Sequence, residues 1–382
     1  MKILVIGGDG FCGWPTSLKL VADGHDITII DNFSRRALDN EMSSNSLTEI
    51  ASISKRLDTA KEYFGNINFE FCDVVGDYLR LENIFRKYKP DAVLHLAELK
   101  SAPYSMLGER ERRSTVDKNI TSTHNILNAI VEVDKNIHLV HLGTMGVYGY
   151  NKDFGKLPEG YLNVKVNSTE KNIDILYPTN PGSVYHMTKS LDQILFQFYN
   201  KNWNLPITDL HQGVVWGVQT DETKMHFNLT NRFDYDGLYG TVLNRFVSQS
   251  ASGNDITVYG TGGQTRAFIH IEDSVKCIQL AIENRPKTTE KVRIFNQVSE
   301  VRNVRELAEI IKSKYGSNIN YIDNPRNEAS ENDLEIENSG LISLGFQPTL
   351  LNDTLLDDLD FIAKAFKDKV DNNKILNSPK WN

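Results

Sequence analysis

The chain has 382 residues, with 42 Lys and Arg against 50 Asp and Glu, and a formal net charge of −8. Its length favours two domains or one large α/β domain, and its negative charge disfavours a nucleic-acid partner, because phosphate binding requires a basic surface. The three cysteines are too few and too widely spaced to indicate a disulfide framework or a metal site. The sequence contains no run of about 18 apolar residues, which is the length needed to span a membrane. We therefore expect a cytoplasmic protein.

Strand and helix patterns alternate along the first half of the chain. Apolar runs typical of strands buried on both faces of a parallel sheet occur at residues 3–6, 27–30, 67–72, 92–96 and 138–142. Helical patterns lie between them, for example at 78–88 and 121–132. This alternation predicts an α/β fold with a doubly wound parallel sheet of the Rossmann type.

The later part of the chain alternates less regularly. Residues 34–66 already make one connection too long for a simple turn, and we expect an added helix or a flap there. Residues 304–315 and 355–366 have the pattern of amphipathic helices, the first with Asn303 as its N-cap. Glycine-rich stretches at 237–240 and 260–263 indicate loops.

A glycine cluster follows the first predicted strand. Gly7, Gly10 and Gly13 stand between this strand and a helix, where glycine permits a tight turn and lets the backbone approach a pyrophosphate at the helix N-terminus. We predict that this loop, with Phe11 and Cys12 inside it, binds a dinucleotide. The alternative is a glycine-rich turn that binds nothing.

An acidic residue ends the second predicted strand. The carboxylate of Asp31 can accept both hydroxyls of the adenosine ribose and would repel a 2′-phosphate, which favours NAD over NADP. Arg35 and Arg36 follow it and could accommodate that phosphate instead, so this alternative stays open. We add Asn32 and Asp73 to the predicted cofactor site. Asp73, after the third strand, is a candidate adenine contact and equally a candidate helix N-cap.

A second motif, Tyr-His-Met-Thr-Lys, occupies residues 185–189. Tyr185 and Lys189 are four residues apart and therefore lie on one face of a helix. A lysine ammonium beside the phenol favours the phenolate, so Tyr185 could act as a base near neutral pH. Thr144, just past the fifth strand, can hydrogen-bond a sugar hydroxyl or the tyrosine. The alternatives are an ordinary amphipathic helix and an ordinary turn residue.

With these motifs the chain resembles, over nearly its whole length, the extended short-chain dehydrogenase/reductase family of nucleotide-sugar enzymes. The longer strings that resemble its sulfite-adding members are GGDGFCGW at 7–14, SAPYSM at 101–106, GTMG at 143–146, YHMTK at 185–189, QGVVWGV at 212–218, TDET at 220–223, NRFDYD at 231–236 and GGQTR at 262–266. The resemblance implies tightly held NAD and the formation of UDP-sulfoquinovose from UDP-glucose and sulfite through a 4-keto-5-ene intermediate. It also implies a homodimer or a higher homo-oligomer.

The positions after Thr144 depart from a common pattern of this family. Many sugar-nucleotide dehydratases have an Asp-Glu pair where this chain has Met145 and Gly146, so a 4,6-dehydratase is disfavoured, and we include Met145 among the predicted catalytic positions. The sulfite-adding relatives carry Glu where this chain has Val147. We predict that Tyr185 or His186 handles the C5 proton instead and that His186 faces an anionic sulfite. The alternative for His186 is a solvent-exposed helix residue.

Basic residues are predicted to hold the anionic substrates. Lys100, where plant relatives have arginine, could guide sulfite, with Ser101 beside it. Arg266 and Arg326 are spaced as the family's pyrophosphate clamps are, and guanidinium offers paired donors to phosphate oxygens. Together with His186, these three basic residues form a predicted cationic pocket.

Gln212 and Asn244 are further candidates for contact with the sugar nucleotide, although structural hydrogen bonding explains them equally well. We expect residues 1–210 to form the NAD-binding domain and residues 211–382 to form mainly the substrate-binding domain, with some segments returning to the first. The rival functions are a UDP-glucose 4-epimerase, a 4,6-dehydratase in the same fold, and a non-catalytic NAD-binding regulator.

Overall fold

Fourteen strands and twelve α-helices form the described part of the protein. The computed structural model describes residues 1–149, 155–166, 171–326, 328–376 and 381, with the backbone alone at 352–356 and 358. The strands are β1 (Lys2–Ile6), β2 (Asp26–Asp31), β3 (Ile67–Phe71), β4 (Ala92–His95), β5 (His138–Thr144), β6 (Tyr161–Lys165), β7 (Asn172–Leu176), β8 (Ile207–Gln212), β9 (Val214–Trp216), β10 (Ile256–Tyr259), β11 (Thr265–His270), β12 (Arg293–Gln297), β13 (Glu300–Asn303) and β14 (Ile319–Ile322).

The helices occupy the intervals between these strands and the end of the chain. They are α1 (Gly13–Ala22), α2 (Ser34–Glu41), α3 (Ile53–Tyr63), α4 (Tyr78–Tyr88), α5 (Glu109–Val133), α6 (Val184–Trp203), α7 (Val242–Ala251), α8 (Ile271–Glu283), α9 (Val304–Tyr315), α10 (Ser339–Ser343), α11 (Leu351–Phe366) and α12 (Asn372–Leu376). Short 3₁₀ turns cover Tyr104–Met106, Met145–Tyr148, Phe227–Leu229 and Lys367–Lys369.

Seven of the strands form the central sheet, in the spatial order β12-β8-β5-β4-β1-β2-β3. Every neighbouring pair in it is parallel. Apolar side chains along β1 alternate between two cores, with Ile3 and Val5 on the face covered by α1 and α8, and Leu4 and Ile6 on the face covered by α4, α5 and α6. Burial on both faces explains the continuous apolar runs of the sequence, and the predicted doubly wound sheet is confirmed.

The predicted helix bounds are most accurate where a capping residue in the sequence marks the start of the helix. The predicted helix 78–88 matches α4, and 304–315 matches α9, where Asn303 and Glu306 form a capping box. The prediction 121–132 covers only the second half of α5, whose N-cap, Gly108, offers no capping side chain. The predicted helix 355–366 begins four residues earlier, as α11.

The connection between β2 and β3 contains two helices, α2 and α3, rather than one. The loop between them packs against a distant segment. The backbone N–H of Leu47 donates to the carbonyl of Phe233 at 2.9 Å, and the Thr48 hydroxyl donates to the carbonyl of Asn231 at 2.7 Å. The connection is therefore part of the core that joins the two halves of the chain.

Three smaller sheets, β13-β11-β9, β10-β14 and β6-β7, complete the strand topology. The chain also returns to the central sheet late, because β12 pairs with β8 at its edge. The predicted boundary at residue 210 stays a prediction. Within the described ranges, none of the helices combines the length and the apolar character needed to cross a bilayer.

One buried arginine joins the long connection to the glycine loop. Arg56 of α3 donates to Asp9 Oδ1 and to the carbonyl of Thr230, both at 2.9 Å, and its guanidinium lies 4.5 Å from the ring centroid of Trp14. Its side chain is 1% exposed. Burial lowers the pKa of Arg56 to about 10, although Asp9 opposes this shift. Arg56 is thus a cation held in the interior by its partners.

We predict that Arg56→Ala lowers the free energy of unfolding by about 3 kcal/mol, because the substitution breaks a buried ion pair. Denaturant unfolding of the NAD-free protein measures the change. The neighbouring Lys55 is exposed, and Lys55→Ala serves as the matched control with an unchanged midpoint. Equal stability of the two variants would contradict the structural role of Arg56.

Candidate active site

Two cavities meet at the carboxyl ends of the central strands. The inner cavity, of about 390 Å³, is lined by the glycine loop and by residues that include Asp31, Glu98 and Lys189. The outer cavity, of about 700 Å³, is lined by residues that include Thr144 and Arg266. Seven residues line both cavities, namely Phe11, Cys12, Lys100, Gly143, Tyr185, Gln212 and Tyr239. These shared residues form the wall across which two ligands would meet.

The glycine loop has the close packing that a pyrophosphate site needs. Gly7 has φ +86°, and a Cβ on Gly13 would lie only 2.2 Å from the carbonyl oxygen of Gly7. Helix α1 begins at Gly13, and its N-terminus opens on the inner cavity, since Gly10 and Gly13 both line it. A glycine-lined helix N-terminus at a cavity therefore fits a dinucleotide phosphate.

The carboxylate of Asp31 lies at the far end of the inner cavity. It accepts the backbone N–H groups of Asp9 at 3.0 Å and of Phe33 at 2.8 Å. Burial and the nearby Asp9 raise the pKa of Asp31 to about 6. The carboxylate is thus preoriented and is still largely ionised at neutral pH, which fits a pair of ribose hydroxyls.

The two arginines after Asp31 are both paired with carboxylates. Arg36 donates to both oxygens of Asp9, at 2.6 and 2.8 Å, and does not line the inner cavity, contrary to its predicted cofactor contact. Arg35 lines the cavity, but it binds Asp39 and Asp234. These pairings leave Asp31 as the predicted partner of the ribose hydroxyls, and they weaken the alternative of a 2′-phosphate.

Asn32 and Asp73 both line the inner cavity, and their contact with the cofactor stays a prediction. Asn32 Oδ1 accepts the backbone N–H of Ser34 at 2.9 Å, so its side chain shapes the turn into α2. The alternative of Asp73 as a helix N-cap is wrong, because Asp77 caps α4 and Asp73 accepts the N–H of Val75 within a turn. Asp73 therefore remains a candidate adenine contact.

Tyr185 and Lys189 lie on the first turns of α6 and face the junction of the cavities. Tyr185 lines both cavities and Lys189 lines the inner one. Lys189 Nζ donates to the carbonyl of Leu142 at 2.7 Å and lies 2.7 Å from Glu98 Oε2. Thr144 lines the outer cavity. The fold thus places all three predicted residues in the walls of the two adjoining cavities.

Glu98 was not singled out from the sequence. It follows β4 by three residues, and the carboxyl ends of parallel strands share one edge of the sheet. Its position after a buried strand was the available signal, since catalytic and binding groups collect at that edge.

Met145 does not contact either cavity. Its side chain is buried in a cluster with Tyr148, Leu157 and Tyr177. The predicted catalytic role of Met145 is therefore corrected to packing. Its apolar side chain turns inward where the related dehydratases would present a carboxylate.

His186 lines the outer cavity but is neither exposed nor cationic. A Cβ on Gly146 would lie 2.3 Å from its Cδ2 atom, so glycine at 146 makes room for the imidazole. Burial, with Arg266 and Arg326 nearby, lowers the pKa of His186 to about 4. The predictions of an exposed helix residue and of a cation are both wrong, because burial among positive charges disfavours protonation.

Two arginines, Arg266 and Arg326, line the outer cavity and not the inner one. Arg266 forms an ion pair with Glu328. The guanidinium of Arg326 lies 5.9 Å from the ring centroid of Tyr259 and 5.4 Å from that of Trp381. Trp381 was not predicted, because nothing near the end of the sequence marks it as part of a site.

Lys100 lies in the wall between the cavities. Its Nζ is 3.3 Å from Asp234 Oδ2 and 4.7 Å from the ring centroid of Phe11. This position lets its charge act on ligands in either cavity. The proposed cationic set is therefore Lys100, Arg266 and Arg326, without His186.

The remaining predicted substrate contacts differ in their placement. Gln212 lines both cavities and donates to the Ser274 hydroxyl at 2.6 Å. Ser101 lines the outer cavity, but its hydroxyl donates to the carbonyl of Leu238. Asn244 lines neither cavity, and its amide donates to the carbonyl of Asp234 at 3.1 Å. For Asn244 the structural alternative is the correct one.

The sequence profile of the NAD dependent epimerase/dehydratase family matches residues 3–296, and the chain belongs to this family. NAD is accordingly its cofactor, in keeping with the glycine loop and Asp31.

Two curated relatives and one solved structure are similar to this chain over most of its length. The chain is 42% identical to the chloroplastic UDP-sulfoquinovose synthase of Spinacia oleracea over 387 aligned residues, which cover 100% of this chain and 79% of that protein. It is 40% identical to the UDP-sulfoquinovose synthase of Sulfolobus acidocaldarius over 355 residues, which cover 91% and 88% of the two chains. A crystal structure of the UDP-glucose 4-epimerase of Bifidobacterium longum with NAD⁺ and UDP shares the fold, with a TM-score of 0.70, 22% identity, and coverage of 97% and 99%.

We predict that Gly13→Ala weakens NAD binding at least about tenfold, because the new methyl group meets backbone and displaces the helix N-terminus from the phosphate. Isothermal titration of the NAD-free protein measures the affinity. Lys19→Ala, on the same helix but outside both cavities, should bind NAD normally. Wild-type affinity in Gly13→Ala would contradict the assignment of this loop.

Proposed function

We propose that the protein forms UDP-sulfoquinovose from UDP-glucose and sulfite, with NAD held in the inner cavity and the sugar nucleotide in the outer one. The observation that carries the proposal is the position of Tyr185 in the wall shared by both cavities, with Thr144 on the outer side and Lys189 on the inner side. The similarity to two UDP-sulfoquinovose synthases along nearly the full chain supports this specific reaction.

The first chemical role falls to Tyr185. When bound, NAD supplies reversible hydride transfer at C4 of the sugar. We assign to Tyr185 the removal and later return of the O4 proton, because its phenol faces the cavity in which the sugar would lie. The ammonium of Lys189 favours the phenolate and can hold the nicotinamide ribose. Thr144 positions the sugar from the other side.

The second role is the removal of the proton at C5, which a ketone at C4 acidifies. His186 lines the outer cavity, is neutral at neutral pH, and has no hydrogen-bond partner at Nδ1 among the described residues. A neutral imidazole can accept a proton, whereas an imidazolium cannot. Tyr185 and His186 thus stay the two candidate bases for the C5 proton, since both line the outer cavity, and we leave the attraction of sulfite to Lys100.

The diphosphate is proposed to lie at the end of the outer cavity formed by Arg266 and Arg326. Guanidinium groups offer paired donors to phosphate oxygens, and both residues belong to the 211–382 part of the chain. This placement supports the proposed division into an NAD-binding part and a substrate-binding part.

We further propose that the protein works as a homodimer in the cytoplasm. Leu191, Ile194 and Phe198 lie along one face of α6 and are exposed, at 38%, 58% and 54%. An exposed apolar stripe of this kind supports pairing with a second copy. All three cysteines are unpaired, which suits a reducing compartment.

We predict that the purified protein converts UDP-glucose to a product carrying an added sulfonate only when sulfite is present, as measured by mass spectrometry. Formation of UDP-galactose without sulfite would instead support the epimerase. A 4-keto-6-deoxy product would support the dehydratase. Failure to convert any UDP-hexose would favour a non-catalytic NAD-binding regulator.

We predict that Tyr185→Phe abolishes turnover and leaves UDP-glucose affinity within about threefold of the wild-type value, because it removes only the hydroxyl that exchanges the O4 proton. The measurements are product formation and isothermal titration with UDP-glucose. Tyr161→Phe is the matched control, since its hydroxyl donates to the carbonyl of Val292 away from both cavities. Near-normal turnover in Tyr185→Phe would exclude Tyr185 as the base.

A further inference from the structure

A buried charged cluster lies beneath Lys189, on the side away from the outer cavity. Lys189 Nζ lies 2.7 Å from Glu98 Oε2 and 3.0 Å from His141 Nε2. His141 Nε2 in turn lies 3.0 Å from Glu98 Oε1. The three side chains are 4%, 3% and 0% exposed. The carboxylate of Glu98 therefore contacts Lys189 through one oxygen and His141 through the other.

The cluster continues through the central sheet. His141 Nδ1 lies 2.8 Å from Asp209 Oδ1, and Asp209 Oδ2 lies 3.0 Å from His211 Nε2. His211 Nδ1 lies 2.8 Å from the hydroxyl of Tyr148, in the turn that follows Thr144. Glu98 follows β4, His141 is in β5, and Asp209 and His211 are in β8. The groups that support the lysine thus come from two neighbouring strands of the central sheet and the loop after a third.

The charges of the cluster balance. Burial opposes ionisation of Glu98, but the Lys189 ammonium outweighs it and holds the pKa of that carboxyl well below its usual range. Asp209 is held ionised against burial by His211 and His141. Burial and Lys189 oppose protonation of His141, but Asp209 and Glu98 raise its pKa to about 9. Two cations therefore face two carboxylates.

The remaining titratable groups around Lys189 are neutral or lie on its own helix. Burial and Glu98 raise the pKa of Asp192 on α6 well above its usual range, and its Oδ2 lies 3.7 Å from His141 Nε2. Burial lowers the pKa of His95 in β4 to about 3, so its imidazole is uncharged. Tyr185 lies one helical turn before Lys189 on α6.

The same cluster also has the composition of a metal site. Ligand atoms of His95, Glu98 and His141 lie within 4.8 Å of one another. The ammonium of Lys189 lies within 3.0 Å of two of these residues and already supplies the positive charge there. The ammonium of Lys189 therefore takes the place that a metal ion would occupy beside Glu98 and His141.

We propose that Glu98 is a positioning residue for the reaction, holding the ammonium of Lys189 at one point beside Tyr185 through a carboxylate that His141 anchors. The inference rests on the role proposed above for Tyr185 and Lys189. A lysine side chain has a flexible stem of four carbons. Contact with a carboxylate that His141 holds in place restricts the positions that its ammonium can take. Glu98 lines the inner cavity and not the outer one, so its effect on the sugar is indirect.

The test is Glu98→Gln, which keeps the shape of the side chain and removes its charge. We expect the rate of reduction of bound NAD by UDP-glucose, followed in single turnover by near-ultraviolet absorbance, to fall at least about tenfold, with the KM for UDP-glucose changed less than about threefold. The alkaline limb of its pH profile should move about one unit lower, because the loss of the Glu98 charge removes one of the two carboxylates that raise the pKa of His141.

A second measurement does not depend on activity. In nitrogen-15 NMR of the NAD-free protein, assigned by a His141→Gln variant, the pKa of the His141 imidazole should fall by at least about one unit in Glu98→Gln, because one of its two carboxylates is gone. Glu98→Asp should recover part of the rate and the wild-type pH profile, since it restores the charge.

Glu82→Gln is the matched control, because Glu82 pairs with Arg86 on α4, outside this cluster and outside both cavities. It should keep the wild-type rate profile and the wild-type titration of His141. If Glu98→Gln lowers the rate without moving the pH profile or the His141 titration, or leaves the rate intact, the positioning role is overturned. If wild-type protein itself fails to reduce NAD with UDP-glucose, the proposed function fails instead, and the NMR titration still decides the electrostatic link.

Discussion

The parallel register of the central sheet is the constraint on which the site depends. When all strands run in the same direction, their carboxyl ends open at one edge, and a cleft forms where the chain changes direction across the sheet. Here β1 lies between β4 and β2, so this cleft lies beside the glycine loop. Residues far apart in sequence, Gly7, Asp31, Glu98, Thr144 and Gln212, each follow or end a different strand and line the two cavities.

Buried charges tie this edge together, and each is stabilised by partners from other segments. An isolated charge in the interior is strongly destabilising, whereas a paired and hydrogen-bonded one is tolerated. Asp9 is paired with Arg36 and Arg56 beneath the cofactor loop, and Lys189 is paired with Glu98 beneath the proposed base. The partners of Asp9 lie in the long connection between β2 and β3, and Glu98 follows a central strand. The same ion pairs therefore stabilise the fold and fix the geometry of the site.

Environment also decides the chemical character of individual side chains. A histidine in water is about half protonated when the pH equals its ordinary pKa. Burial beside two arginines lowers the pKa of His186, so its imidazole is neutral at that pH. Met145 and Asn244 were plausible site residues by position, and both turn into packed regions instead. In each case the residue type was visible in the sequence, but the surroundings that set its charge or its direction were not.

Periodic and short-range features could therefore be predicted from the sequence alone. The buried strands, the glycine loop, the four-residue spacing of Tyr185 and Lys189, and the N-cap at Asn303 each depend on neighbours within a few positions of the chain, where strand and helix geometry is the same in every protein. The pairing of Glu98 with Lys189 joins residues 91 positions apart, and the contact of Arg56 with Thr230 spans 174. Only the tertiary structure decided these contacts and the charge states that follow from them, because they arise from burial among distant segments and not from any local pattern.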